Sequence, residues 1–411
     1  MKNKNILIFY LFAILTYASQ GITGLFGQLQ YYFLHEHLGM TLTKMSIIGF
    51  IIGIPWVIKM FIAILIDYFP IGKPYLTKDK NIISCGLSKT EKYRVKYYLW
   101  FDNIGLILCY LGMMYFGLHV WTYLLFGFLI NCFISLNDIS CDSTMVIYEK
   151  KYNLQGKGVS VQWIALGVVG LFTSLVGAKL SETMNYQLAY GIALLFPILY
   201  IAYLRFIHKE EPVKEKKKFN IKGILSHFKN KTFLWGLLFI ACLQLTPSFG
   251  TGLMAQMRDV MGVSKMFVGV LGSVGTIFGL FGYILYFKWG NKFKLKQLLI
   301  FSIIFSAITN MFYLYIPTQW HIMGYSILFG AFSGVSFMTI MTFMTSIIPE
   351  GNEGMIYACV ASLSNLCSNG SGIISGFIYD SWGYSANVWI STIFTICCLF
   401  IIPKLKILDK P

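Results

Sequence analysis

The chain has 411 residues, 56% of them hydrophobic and only 12% charged, with a formal net charge of +16. No soluble globular domain has that balance, and a mean hydropathy of +0.66 leaves nothing over for a water-soluble catalytic domain. The basic excess alone does not single out a nucleic-acid binder, because the placement of the charge decides what it means.

About twelve apolar stretches are long enough to cross ~30 Å of hydrocarbon as helices. They begin near residues 6, 45, 97, 120, 158, 186, 233, 264, 297, 320, 354 and 386. An all-α polytopic membrane protein of twelve transmembrane helices follows. The first stretch comes after Lys2 and Lys4. It lacks a small-x-small cleavage site and runs on as a full span, so it is expected to stay in the protein.

Helix 2 contains Gly53, Pro55, Trp56 and Lys59 and ends at Asp67. Pro55 removes a backbone hydrogen bond and is expected to kink the helix. Lys59 is the one basic residue placed deep in a membrane segment. The loop 68–96 is long and basic; with Pro70 and Pro74 near its start it is expected to be irregular and solvated. Helix 4, from about Trp121 to Glu149, carries Asn131, Asp138, Asp142 and Glu149 in one stripe at 100° per residue. A carboxylate inside a bilayer costs several kcal/mol, so it is a functional device or half of an ion pair. Counted along their helices, Lys59 and Asp138 lie at similar depth. A pair between Lys59 and Asp138 or Asp142 is therefore predicted, in one polar, partly water-accessible site.

A charged connector over 209–232 follows the sixth helix and precedes six more. It divides the chain into an N-terminal half, 1–208, and a C-terminal half, 233–411. A weak internal repeat supports the division: Lys44-Met45 before Gly49 is echoed by Lys265-Met266 before Gly269. Helix 8 aligns Gly269, Gly272, Gly275, Gly279 and Gly282; helix 11 carries Ser364, Ser368, Ser371, Gly372, Ser375 and Gly376. Both read as packing surfaces, because small residues let membrane helices approach closely.

With the N-terminus in the cytoplasm, 28 of the 33 Lys and Arg residues fall in inside segments. Only Lys44, Lys179, Arg258 and Lys265 fall outside. This is a positive-inside pattern, and it places the N-terminus, C-terminus and connector in the cytoplasm. The charge is thus topological, with some attraction to anionic lipid, and no nucleic-acid partner is expected. The nine cysteines show no ligand spacing, so no disulfide, metal or cofactor is expected. HExxH, GxSxG and GxxxxGK[ST] are absent, which argues against an enzyme.

The six-plus-six layout with a basic linker resembles the major facilitator superfamily. Asp67 resembles the acidic position of that superfamily's signature loop. More specifically, the chain resembles the folate–biopterin transporters. The similar blocks are Gln20-Gly21 with Gly24-Leu25, Tyr31-Tyr32, His37 with Gly39, and Gly53-Ile54-Pro55-Trp56 up to Lys59. Asp67 with Pro70, Asn137-Asp138 with Asp142, Glu353-Gly354, Tyr357-Ala358 and Ser364-Asn365 complete the set. Met60 stands where that family often has a proline.

The resemblance implies a monomeric secondary transporter in the cell membrane that imports folate, biopterin or a related pterin by alternating access, coupled to protons. In that reading Asp138 or Asp142 accepts the adjacent N–H donors of a pterin ring. Lys59 or Arg258 meets an anionic tail, and the flat ring stacks on Trp56, Trp163, Tyr31 or Tyr32. Gln28, Gln162, Gln244 and Asn365 add polar groups, and Asp67, Glu149 and Glu353 serve gating or structure. Two carboxylates one turn apart disfavour simultaneous ionisation, as a proton carrier requires. Asp138, deeper by count, is the expected carrier. The alternatives are a facilitator for another small organic anion or solute and, further off, a channel or membrane enzyme.

Overall fold

The computed structural model describes residues 2–69, 71–74, 90–93, 95–152, 157–207, 227–348 and 353–405. The connector anticipated over 209–232 lies largely outside these residues. Eleven helical stretches among them are long and apolar enough to cross a membrane. The last, Ile356–Lys404, is 49 residues long and is broken at Gly383, where φ is 80°. Only glycine takes that conformation freely. Broken there, the stretch supplies two crossings, and the bundle has twelve. From the second crossing onward, helices begin at Leu42, Lys96, Val120, Lys157, Tyr186, Lys231, Lys265, Leu295 and Gln319. Each lies within about three residues of its predicted start, the usual scatter of helix ends.

The two six-helix halves repeat one another in detail. The first crossing is built from Lys2–Gly21 and Gly24–Tyr31 and ends in a wide π-helical turn, Tyr32–His37. The seventh is built from Lys231–Leu245 and Gly250–Ala255 and ends in the same kind of turn, Gln256–Val260. A glycine with φ of 64° follows each, Gly39 and Gly262. A hydroxyl residue then caps the next helix. Thr41 accepts from the Lys44 N–H and Ser264 from the Phe267 N–H, each satisfying an orphan donor of the first turn. These are the segments whose repeat was faintly visible in the sequence.

Burial is inverted relative to a soluble protein. Leu7, Phe101, Leu108, Tyr115, Phe287 and Phe400 point outward, and Asp102, Asn103, Ser135, Asn137, Asp138, Gln162 and Asn387 are enclosed. Lipid solvates the first set, while the polar groups stay inside the bundle, away from hydrocarbon.

The halves meet along two seams. In one, crossing 8 lies against crossing 5, with Gly269 on Ala178 and the Ser174 carbonyl, and the Ser273 hydroxyl donates to the Leu171 carbonyl at 3.2 Å. In the other, crossing 11 lies against crossing 2. Gly376 packs on Leu42 and Thr43, and the Asp380 carboxylate accepts from the backbone N–H groups of both, at 3.2 and 2.9 Å. Within the C-terminal half, Gly282 and Gly334 bring the backbones of crossings 8 and 10 together: a Cβ at Gly282 would collide with the Ala331 carbonyl, and one at Gly334 with the Gly279 carbonyl. Gly282→Leu or Gly334→Leu is expected to lower the yield of folded protein in the membrane and its melting temperature. Gly275→Leu, with nothing within 4 Å of its added Cβ, should leave both close to wild type.

The loop after crossing 2 departs from expectation. Ile71–Pro74 pairs antiparallel with Thr90–Tyr93 in a short hairpin, in register Ile71↔Tyr93 to Pro74↔Thr90. Pro74 closes the first strand at its end, where a missing N–H costs little.

Candidate functional site

Crossing 2 breaks at Ile58 (φ −87°, ψ 11°), three residues beyond Pro55. It resumes as Lys59–Tyr68. The break sets Lys59 at the start of a new helix and aims it at crossing 4, Val120–Tyr152, which presents Asp138 and Asp142 one turn apart. The Lys59 ammonium makes a short ion pair with Asp138, and its nitrogen lies 3.5 Å from Asp142 Oδ2. Asp142 Oδ1 also faces the Tyr17 hydroxyl at 3.2 Å and the Gln162 amide N–H at 3.3 Å, both as donors. Asp138 is almost enclosed, with 5% of its side-chain surface exposed, against 29% for Asp142. One carboxylate is thus locked to the lysine and the other is open.

Around this triad, the Trp56 indole N–H donates to Asn131 Oδ1 at 2.8 Å, and the Lys59 nitrogen sits 5.6 Å from the Trp56 ring centre. Crossing 11 reaches in from the other half. The Asn365 amide donates to the Trp56 carbonyl at 3.1 Å, and Ser362 Oγ accepts from the Met60 N–H at 3.1 Å. A proline at position 60 would have no N–H to give. Tyr357, on the same helix, lies within electrostatic reach of Lys59, Asp138 and Asp142. Trp163 packs edge-on against Phe337 of crossing 10, with ring centres 5.0 Å apart, and is tilted against Tyr17.

The structure therefore brings Lys59, Asp138, Asp142, Trp56, Gln162 and Asn365 together, with Trp163 joined through Tyr17. It does not bring in Gln28, whose amide donates to the Ser174 carbonyl at 3.2 Å at the seam between crossings 1 and 5. Gln244 donates to Ser364 Oγ at 2.7 Å within the C-terminal half. The side chains of Asp67, Glu149 and Glu353 lie outside the described residues. Tyr17, Ser362 and Tyr357 were not singled out as site groups in the sequence. In a chain with 26 tyrosines nothing marks one of them as a carboxylate's partner.

Arg258 belongs to a different cluster, at the end of the bundle away from the N-terminus. The π-helical turn of crossing 7 directs its guanidinium to Glu36 at 2.7 Å and to the Val263 carbonyl. Lys265 shares Glu36 at 3.2 Å and donates to the Ser181 carbonyl at 3.1 Å; His35 faces Asp259 at 2.8 Å. The Tyr32 ring lies under both cations, 5.5 Å from Arg258 and 4.3 Å from Lys265. This clasp joins crossing 1 to crossings 5, 7 and 8. An arginine's charge is visible in sequence, but the turn that aims it is not. Glu36→Gln leaves Arg258 and Lys265 without their shared carboxylate. It is expected to raise severalfold the labelling of Gln28→Cys by a membrane-impermeant thiol reagent added from that side, in a background otherwise free of cysteine.

Comparison with known proteins agrees with this architecture. The BT1 family model matches residues 93–410. A Synechocystis protein named "Folate-biopterin transporter" is 25% identical over 399 residues, covering 90% of this chain and 75% of its own. "Folate transporter 1" of Plasmodium falciparum is 26% identical, covering 92% and 75%. Among solved structures, a point mutant of the nucleoside transporter NupG superposes with a TM-score of 0.70 at 14% identity, covering 98% of this chain and all of its own. A D-xylose-proton symporter superposes at 0.67 and 14%, covering 97% and 96%. At that identity the structural likeness establishes the major facilitator fold. The family match spans most of the chain: it belongs to the BT1 family, and it is a multi-pass membrane carrier of small molecules, not an enzyme.

Proposed function

We propose that this BT1-family carrier imports folate, biopterin or a related pterin by alternating access, coupled to protons. The observation that carries the reading is the unequal triad, one ammonium shared by a locked and an open carboxylate in the N-terminal half, with crossing 11 of the other half alongside. A pterin ring offers adjacent N–H donors that a carboxylate accepts in a bidentate way. Asp142 is open to take them or a proton, and Trp56 offers an indole face beside Lys59. The relatives' names point to the same ligand class. Lys59 is the cation placed to meet an anionic group; Arg258 is held by Glu36 and serves closure instead.

The geometry favours Asp142 over Asp138 as the proton carrier, because Asp138 is committed to Lys59. The charge distribution supports a cytoplasmic N-terminus, which puts the His35–Glu36–Arg258–Asp259–Lys265 clasp on the outer face and makes this conformer closed to the outside. Lys217→Cys should then be labelled only from the cytoplasmic side. The deciding experiment is radiolabelled folate uptake by proteoliposomes, with and without an imposed pH gradient. Excess folate, biopterin and an unrelated organic anion are tested as competitors. Accumulation that needs the gradient and yields only to the pterins supports the reading. Equal competition by the unrelated anion would move the protein to a general anion facilitator.

A further inference from the structure

Asp102 takes no part in the triad. It lies on crossing 3, fully buried in the bilayer-spanning part of the bundle. Its Oδ1 accepts from the Asn103 amide at 2.7 Å, and its Oδ2 has no hydrogen-bond partner. Three more enclosed oxygens share that condition, Asn103 Oδ1, Asn137 Oδ1 and Ser19 Oγ, on residues no more than 3% exposed, and the Asn137 amide nitrogen is unpaired as well.

Helix register puts these groups at one depth. Gly105 lies against Phe133 and Gly112 against Phe126, so on antiparallel crossings 3 and 4 Asp102 is level with Leu136 and Asn137. Asn137 falls on the stripe of crossing 4 that holds Phe126 and Phe133, the stripe facing crossing 3. On crossing 1, the Thr16 hydroxyl is 2.8 Å from the Tyr200 hydroxyl of crossing 6 and within reach of Cys141 on crossing 4; Tyr200 in turn lies within electrostatic reach of Asp102. Ser19 and Asn137 each stand about one turn above that layer.

We propose that Asp102, Asn103, Asn137 and Ser19 form a binding site for a hard monovalent cation of the sodium class, in the core of crossings 1, 3, 4 and 6. A buried carboxylate without a cation costs several kcal/mol. Lys59, the membrane-embedded lysine, is committed to Asp138 and Asp142. A proton on Asp102 would neutralise the charge but could be donated to only one of the other three oxygens. One cation answers all four, and an all-oxygen donor set suits a hard ion over a transition metal. The site is separate from the proposed proton carrier and does not depend on the identity of the transported substrate.

The test is thermal unfolding of the purified protein without any pterin, in sodium, potassium and choline chloride at equal ionic strength and fixed pH. A ligand that binds only the folded state raises the melting temperature with its concentration. Sodium is expected to give a saturable rise of a few degrees over choline. Asn137→Ala should move the half-saturating concentration upward at least tenfold, and Asp102→Asn should abolish the rise. If Asp102→Asn does not fold, the wild-type titration and Asn137→Ala decide. Equal melting in sodium and choline for the wild type, or an unchanged sodium rise in either variant, would overturn the site, whatever the uptake assay shows.

Discussion

Lys59→Met is expected to abolish substrate uptake and to destabilise the protein more than any other single change in the N-terminal half. The substitution leaves Asp138 and Asp142 facing each other across one helical turn with no cation between them. Breaking a buried pair by removing one partner costs about 3–5 kcal/mol, because the surviving charge stays in low dielectric. Here two charges survive, and the donors left to Asp142, Tyr17 and Gln162, offset only part of that cost. The double variant Lys59→Met with Asp138→Asn restores the wild-type net charge of the cluster and keeps its volume. It should recover most of the lost melting temperature while uptake stays absent. Recovery of stability without transport separates the structural part of the pair from its functional part. Wild-type uptake by Lys59→Met would show that the lysine is a strut and that the triad is not the transport site.

The membrane crossings were legible because hydropathy over about twenty residues is a sum of many small terms, and single exceptions do not change it. The Lys59–Asp138–Asp142 grouping was visible for a related reason. Charges inside lipid are rare, and helical periodicity puts 138 and 142 on one face. What failed to show was local backbone geometry. Pro55 marked a kink, but the break came at Ile58, where the helix could restart with Lys59 pointing at crossing 4. The turn at Gln256–Val260 carries no sequence signature, so the sequence offers Arg258 to an anionic group without showing that Glu36 holds it. Asp102 does not stand out in the sequence, because it lies one and a half turns into a helix that begins with Lys96, Tyr97 and Tyr98, a stretch that reads as an interface. Only the structure shows it fully enclosed. The Gly383 break has the same origin: a single glycine in a long apolar run, decisive only through its φ.

Asp142→Asn is expected to remove concentrative uptake driven by a pH gradient while sparing exchange of substrate across the membrane. The cluster holds two carboxylates and one ammonium, so it has one negative charge to balance with a proton or with donor groups of the substrate. Asparagine keeps the size of the side chain and can still accept from Tyr17 or Gln162, so folding should survive. It has no charge to give a proton, and the coupling is lost. A gradient of one pH unit can support at most about tenfold accumulation per proton carried, since each tenfold is about 1.4 kcal/mol. Wild-type proteoliposomes should approach that ratio, and the Asp142→Asn protein should stop at equal concentrations inside and outside. Counterflow, in which unlabelled substrate inside drives labelled substrate in, should persist in the variant, because alternating access needs no net proton movement. Asp138→Asn should behave differently. It removes the short partner of Lys59, lowers the melting temperature and weakens both accumulation and counterflow. If the two asparagine variants were indistinguishable, the carboxylates would share one role. If Asp142→Asn retained full gradient-driven accumulation, the proton would travel by another group, and the open carboxylate would be left with substrate recognition alone.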